Sequence, residues 1–134
     1  MNTRVAAVAA LLLLGACSPD GQSGGEQGKF AGFEEQIPKW KTEIVASDPL
    51  CRSPEKDQRC EGFDVACKAE RTLSADDTAK GITARVVAAM TWNGFDPKFR
   101  HAQSGVRAAE FIKGPSGWTR VEHSPVNMET CGDL

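Results

Sequence analysis

The chain has 134 residues, with 16 basic against 18 acidic side chains and a formal charge of −2; at ~100 to 200 residues per domain, this length excludes a second domain. The charge balance gives no electrostatic basis for binding nucleic acid or an anionic membrane face. Hydrophobic residues at 40% and charged residues at 25% match ordinary globular usage and exclude wholesale disorder.

The first element in chain order is a leader. Arg4 is the only charged side chain before an unbroken apolar run over residues 5–14, which the small residues Gly15 and Ala16 follow; this is the layout of an export signal. A helix of about ten residues covers about 15 Å, half of the ~30 Å hydrocarbon core, so the run is too short for a transmembrane anchor. The junction reads Leu14, Gly15, Ala16, Cys17 and resembles the lipobox of bacterial lipoproteins. The resemblance implies cleavage between Ala16 and Cys17, a thioether-linked diacylglycerol on Cys17, and a fatty acyl chain such as palmitate on the new amino group. The lipid bilayer is then the first expected partner, reached through Cys17. Three acyl chains would hold the protein firmly, since burial contributes about 0.8 kcal/mol per CH₂ and one chain alone is marginal. Ser18 stands where the enterobacterial sorting rule uses Asp for inner-membrane retention, which implies an outer-membrane lipoprotein facing the periplasm. Residues 18–29 hold four Gly, two Ser, two Gln and no large apolar side chain, a flexible tether with an r.m.s. reach near ~20 Å. The expected organisation is a signal peptide over 1–16, a tether over 17–29 and a single domain over 30–134.

In residues 30–44 the apolar positions Phe30, Phe33, Ile37, Trp40 and Ile44 are spaced three, four, three and four apart, one stripe of an amphipathic helix. Pro38 inside this pattern predicts either a kink or a helix that begins near Ile37 with Pro38 in its first turn. Asp48 and Pro49 end it. Beyond the helix, Cys51, Cys60, Cys67 and Cys131 are an even set in an exported chain and predict two disulfides. Cys60 and Cys67 are seven residues apart, about 10 Å between Cα atoms in a helix and above ~20 Å in a strand, beyond the ~7 Å limit for a bridge. Two pairings remain, Cys51 with Cys60 plus Cys67 with Cys131, or Cys51 with Cys67 plus Cys60 with Cys131. The first is favoured, because Pro54 and the polar run to Gln58 form a loop that a local bridge would close, and the second bridge would then pin the C-terminal tail.

Residues 63–73 alternate, with Phe63, Val65, Cys67, Ala69 and Leu73 on one side, and predict a strand with one wet face. Residues 74–81 form a connection with one short helical turn started by Ser74, with Asp76 and Asp77 near its positive end. Ile82, Ala84, Val86, Ala88, Met90 and Trp92 predict a long inner strand. Residues 94–105 read as a loop around Asp96 and Pro97, residues 106–113 as a third strand, and residues 118–123 as a fourth, after a turn at residues 114–117. The fold class is therefore α+β: one N-terminal amphipathic helix packed on a four-stranded antiparallel meander, with two disulfides. Its element order resembles the cystatin-like architecture; the inhibitory loop motifs of cystatins are not matched, so no activity comes with the resemblance.

The chemistry-bearing residues are sparse. Neither His101 nor His123 sits in a local catalytic motif, and a Gly-x-Ser-x-Gly elbow is absent. Adjacent acids at Glu34 and Glu35, and at Asp76 and Asp77, point apart in either regular structure and read as solvated faces. No cysteine pair has zinc-knuckle spacing, and a copper set of His101, His123, Met128 and Cys131 would require breaking a disulfide. No metal or cofactor is expected. Phe95, Lys98, Phe99, Arg100 and His101 gather aromatics and positive charge on one long connection and form the candidate binding loop; the competing structural reading is that Phe95 and Phe99 fold back over the sheet end. Trp40, Trp92 and Trp118 read as core. The expected function is non-enzymatic binding of an envelope protein or small ligand by a lipid-anchored domain. The alternatives are a small hydrolase inhibitor, or a small enzyme with a pocket between helix and sheet.

Overall fold

The structure is a computed structural model that describes residues 28–53, 55 and 59–134. The leader, Cys17, the tether as far as residue 27 and half of the loop between Cys51 and Cys60 lie outside the described residues. Pro38 sets where the amphipathic helix begins. The helix, α1, spans Gln36–Ser47, which places Pro38 in the first turn, where its missing N–H removes no intrahelical bond. Residues 28–30 make a short helical turn and residues 31–35 are turns and a bend, with Gly32 at φ +83°, yet Phe33 is still buried. Asp48 follows α1 and opens a 3₁₀ turn, Pro49–Cys51, by accepting the Leu50 N–H on Oδ1 at 3.0 Å.

The strands are β1 (Glu61–Glu70), β2 (Ala84–Asp96), β3 (His101–Gly114) and β4 (Gly117–His123), with a short helix α2 (Ala75–Ala79) between β1 and β2. They form one antiparallel sheet in the order β1-β2-β3-β4. The protein is thus an α+β fold built on a meander, and its two disulfides join Cys51 to Cys60 and Cys67 to Cys131, with Cα–Cα distances of 4.9 and 5.6 Å.

Trp40 and Ile44 of α1, both buried, pack with Phe33 onto Val86, Ala88, Met90, Trp92, Ala109 and Phe111 of the sheet. Phe33 and Trp40 meet Phe111 edge-on, with centroids 5.3 and 5.6 Å apart. Trp118 is half-buried at the margin of this core and donates its Nε1–H to the Ala31 carbonyl at 2.8 Å.

Two expectations about the strands are corrected. The predicted loop over 94–105 is strand: β2 and β3 stay in register out to Asp96 opposite His101, and only residues 97–100 turn. Its glycines mark close approaches instead of chain reversal. A Cβ on Gly94 would meet Leu50 Cβ at 2.6 Å, and one on Gly105 would run into the indole of Trp92, its cross-strand neighbour.

The second correction concerns β1, whose alternating residues do not share one face. The register slips between Val65 and Cys67, opposite Met90 and Ala89, so Ala66 is the extra residue of a bulge. Phe63 and Val65 pack on the α1 side, whereas Cys67 and Ala69 pack on the other. The sheet accordingly lacks the single wet face expected of it. A second core of Cys67, Val87, Ala89, Ala108, Val126 and Cys131 is closed by the C-terminal segment. That segment is folded by an antiparallel bridge between Val126 and Asp133 and by the Asn127 side chain, which accepts the N–H of Glu129 and of Thr130.

Candidate functional site

The predicted binding residues end up on a projecting ribbon. β1 pairs with β2 as far as Asn93, and β4 pairs with β3 only up to Ala108, so residues 94–96 and 101–103 pair only with each other. The turn that closes the ribbon is organised by Asp96. Its Oδ1 accepts the N–H of Lys98 at 2.8 Å and of Phe99 at 3.0 Å, and its carbonyl accepts the N–H of Arg100 at 2.8 Å. Arg100 takes a left-handed conformation at φ +56°, which for a non-glycine residue persists only where the surroundings impose it.

On this scaffold Phe99 is 65% exposed. Its ring stacks on that of His101 with centroids 6.2 Å apart, and the Lys98 ammonium lies 5.1 Å from its centroid. The Nδ1–H of His101 donates to the Ala102 carbonyl at 3.0 Å. Lys98, Phe99, Arg100 and His101 therefore share one exposed, preformed tip, and Phe99 does not fold back over the sheet. Phe95 is half-buried on β2, opposite Ala102, and stays out of the tip.

The chain enters the described fold at the other pole. The Lys113 ammonium donates to the carbonyls of Gly28 and Lys29 at 2.8 and 3.3 Å, and Lys29 pairs with Glu70. Lys113 lies opposite Ala84 at one end of β2, and His101 opposite Asp96 at the other. The 13 residues of that strand span about 40 Å at ~3.4 Å per residue.

Sequence reasoning missed a groove of about 460 Å³ on the sheet face opposite α1, lined by Thr91, Val106, Ala108, His123, Pro125 and Met128 among others. It lies where β4 ends and the chain crosses the sheet face. The one sequence signal for it was Cys131, whose pairing with Cys67 draws the tail across that face. His123 lies in this groove, its Nδ1–H donating to the Ser124 carbonyl at 2.8 Å and its Nε2 3.7 Å from Asp133 Oδ1. His101, at the tip, lies apart from His123, and Cys131, which shares the second core with Met128, is held in its disulfide to Cys67.

The most developed charged cluster is elsewhere. Arg85 gives both edges of its guanidinium to carboxylates, Nε and Nη2 to Glu110 at 2.8 and 3.0 Å, and Nη1 to both oxygens of Asp77 at 3.0 and 3.1 Å. Asp77 also closes a capping box with Ser74 at the start of α2. The Ser74 backbone N–H and then the Arg85 guanidinium hold the Asp77 carboxyl below its ordinary range, against the opposing effect of burial. Glu110 and Asp77 together raise the affinity of Arg85 for its proton. The cluster ties α2 to β2 and β3 through charge-assisted hydrogen bonds. Glu34 and Glu35 are exposed, and Glu34 pairs with Lys68 at 2.9 Å.

No protein-family model matches this chain, and neither a curated protein nor a solved structure matches it.

Proposed function

We propose that the protein is a lipid-anchored, non-enzymatic binding domain of the bacterial cell envelope, held through acylated Cys17 and engaging a partner with the tip of the β2–β3 hairpin. The observation that carries this reading is the separation of the poles: the chain enters the fold beside Glu70 and Lys113, and Phe99 with its flanking cations lies at the far end of β2. An anchor on the N-terminal side would leave that tip directed away from the bilayer, toward the periplasm if the outer membrane is the site. The Leu14 to Cys17 box supports the anchor. The turn held by Asp96 supports binding, because a preformed tip loses little conformational entropy on association. One helix lying on a four-stranded meander supports a cystatin-like architecture.

Two substitutions test the reading. Cys17→Ala is expected to abolish incorporation of labelled fatty acid and to release the protein from the membrane fraction. A photo-crosslinking residue in place of Phe99 is expected to give a discrete product in living cells, one that is lost when Lys98 and Arg100 are replaced by Ala. An absence of any product from position 99 would remove the binding reading. The groove beside His123 and Asp133 favours a second reading, a small enzyme. That reading takes over if the tip substitutions leave the cross-linked partners unchanged while His123→Ala abolishes a hydrolytic activity of the purified protein.

A further inference from the structure

We propose that the outer edge of β3 over residues 101–107 is a strand-addition site for an extended segment of a partner protein, acidic at the end that lies against the hairpin tip. The inference rests on the binding reading above and names its mode.

β2 covers the inner edge of β3 along its whole length, whereas β4 covers the outer edge only from Gly114 back to Ala108, opposite His123. Among the described residues no strand pairs with the outer edge from His101 to Arg107. The two-residue turn that pairs Gly114 with Gly117 fixes the phase of the ladder. Ala108, Glu110, Ile112 and Gly114 direct their backbone groups toward β4, so Ala102, Ser104 and Val106 direct theirs outward along the same line. Three N–H and three C=O groups thus continue the line of β4, and of these the Ala102 carbonyl already accepts the Nδ1–H of His101.

The other edges of the sheet are protected and this one is not. β1 is interrupted by bulges at Gly62 and Ala66, and β4 is seven residues long and carries Arg120 and Glu122. Bulges, shortness and charge are the usual devices against added strands. The open stretch of β3 carries only small or apolar side chains at its outward positions.

An added strand would also find a place for its side chains. Those on the face opposite α1 would meet the groove, where Val106 is 58% exposed beside Pro125 and Met128. The charges are polarised along the edge. Lys98 and Arg100 stand at the tip end, where the carboxylate of Asp96 is taken up by backbone N–H groups. At the other end the charges are already paired, Glu122 with Arg120 and Arg107 with Asp48. An extended segment with acidic residues toward the tip and apolar ones toward the groove matches both features, in the manner of β-augmentation. A second copy fits less well, because antiparallel self-pairing centred on Ser104 would drive each tip into the line already occupied by β4 of the other copy.

The probe is a synthetic peptide of alternating Val and Thr with two Glu at one end, added to the full acylated protein in detergent. Amide hydrogen exchange is expected to slow at Ala102, Ser104 and Val106, and binding to weaken as salt rises. Ser104→Pro removes one outward donor without touching the ladder to β2, and is expected to weaken binding about tenfold. Val106→Lys, which places a charge over the groove, is the second variant should Ser104→Pro lower the melting temperature. Unchanged exchange at the three amides, or unchanged binding by both variants, overturns the proposal. Protection that appears without peptide, together with a dimeric mass, also overturns it and assigns the edge to a second copy. A cross-link from position 99 that persists in the Ser104→Pro and Val106→Lys proteins removes strand addition and leaves the binding reading standing; no cross-link even in the parent protein removes the binding reading itself.

Discussion

Gly105 and Trp92 show how a single residue can mislead a reading of local signals. Glycine among polar residues suggests a loop, but here the missing side chain makes room for the indole of a cross-strand neighbour, which stacks on Phe63 on its own side with centroids 5.6 Å apart. Gly105→Ala is expected to cost about 1 to 3 kcal/mol through overpacking, measured by urea unfolding. Ser74 is the opposite case, since its role in capping α2 was legible in the sequence. Ser74→Ala is expected to cost about 1 kcal/mol. Its partner Asp77 gives a pH dependence of known sign. The folded carboxyl lies below its ordinary value of 3.8, so the unfolded chain binds more protons as pH falls past that value. The stabilisation is complete above the unfolded value and is lost as pH drops through the folded one. Asp77→Asn is therefore expected to lower the melting temperature at neutral pH and to flatten its acid dependence below about pH 4.

Among the elements, β1 depends most on its partners. Period two in the sequence groups Phe63, Val65, Cys67 and Ala69 on one face, and the bulge at Ala66 divides them between two cores. A bulge of this kind carries no side-chain signature, because it is fixed by the register of β2 and by the need to bring Cys67 to Cys131. Replacing both Cys67 and Cys131 by Ser is expected to cost about 4 kcal/mol in the chain-entropy account, against about 2.5 kcal/mol for the short loop closed by Cys51 and Cys60. Thermal unfolding of the two double variants compares them. Loss of the longer bridge should also speed amide exchange across residues 126–133, whose remaining ties to the body include the Val126 and Met128 contacts and the Arg71 bonds to Asp133 and to the Cys131 carbonyl. For α1 the apolar stripe and Pro38 left two arrangements, a kink or a start near Ile37, and the helix takes the second, beginning at Gln36.

Across the whole molecule, stability and the candidate site are separate. Replacing Lys98, Phe99 and Arg100 together by Ala should change the unfolding free energy by no more than about 0.5 kcal/mol per site, because none of the three packs in either core. The same variant should lose any partner engaged at the tip, so a melting curve beside the cross-linking result distinguishes a binding defect from a folding defect. What the residues alone determined is what neighbours in the chain set: the apolar stripe of α1, the start of α2 at Ser74, and the order of helix and strands. Cysteine geometry narrowed the bridges to two pairings, and the loop around Pro54 favoured the one observed. What only the tertiary structure decided is how far each strand runs, which face each residue of β1 joins, that the C-terminal segment builds a second core and a groove, and that the outer edge of β3 is left uncovered. The reason is physical: strand pairing and layer packing are contacts between residues far apart in sequence, and no local periodicity encodes where a distant strand stops.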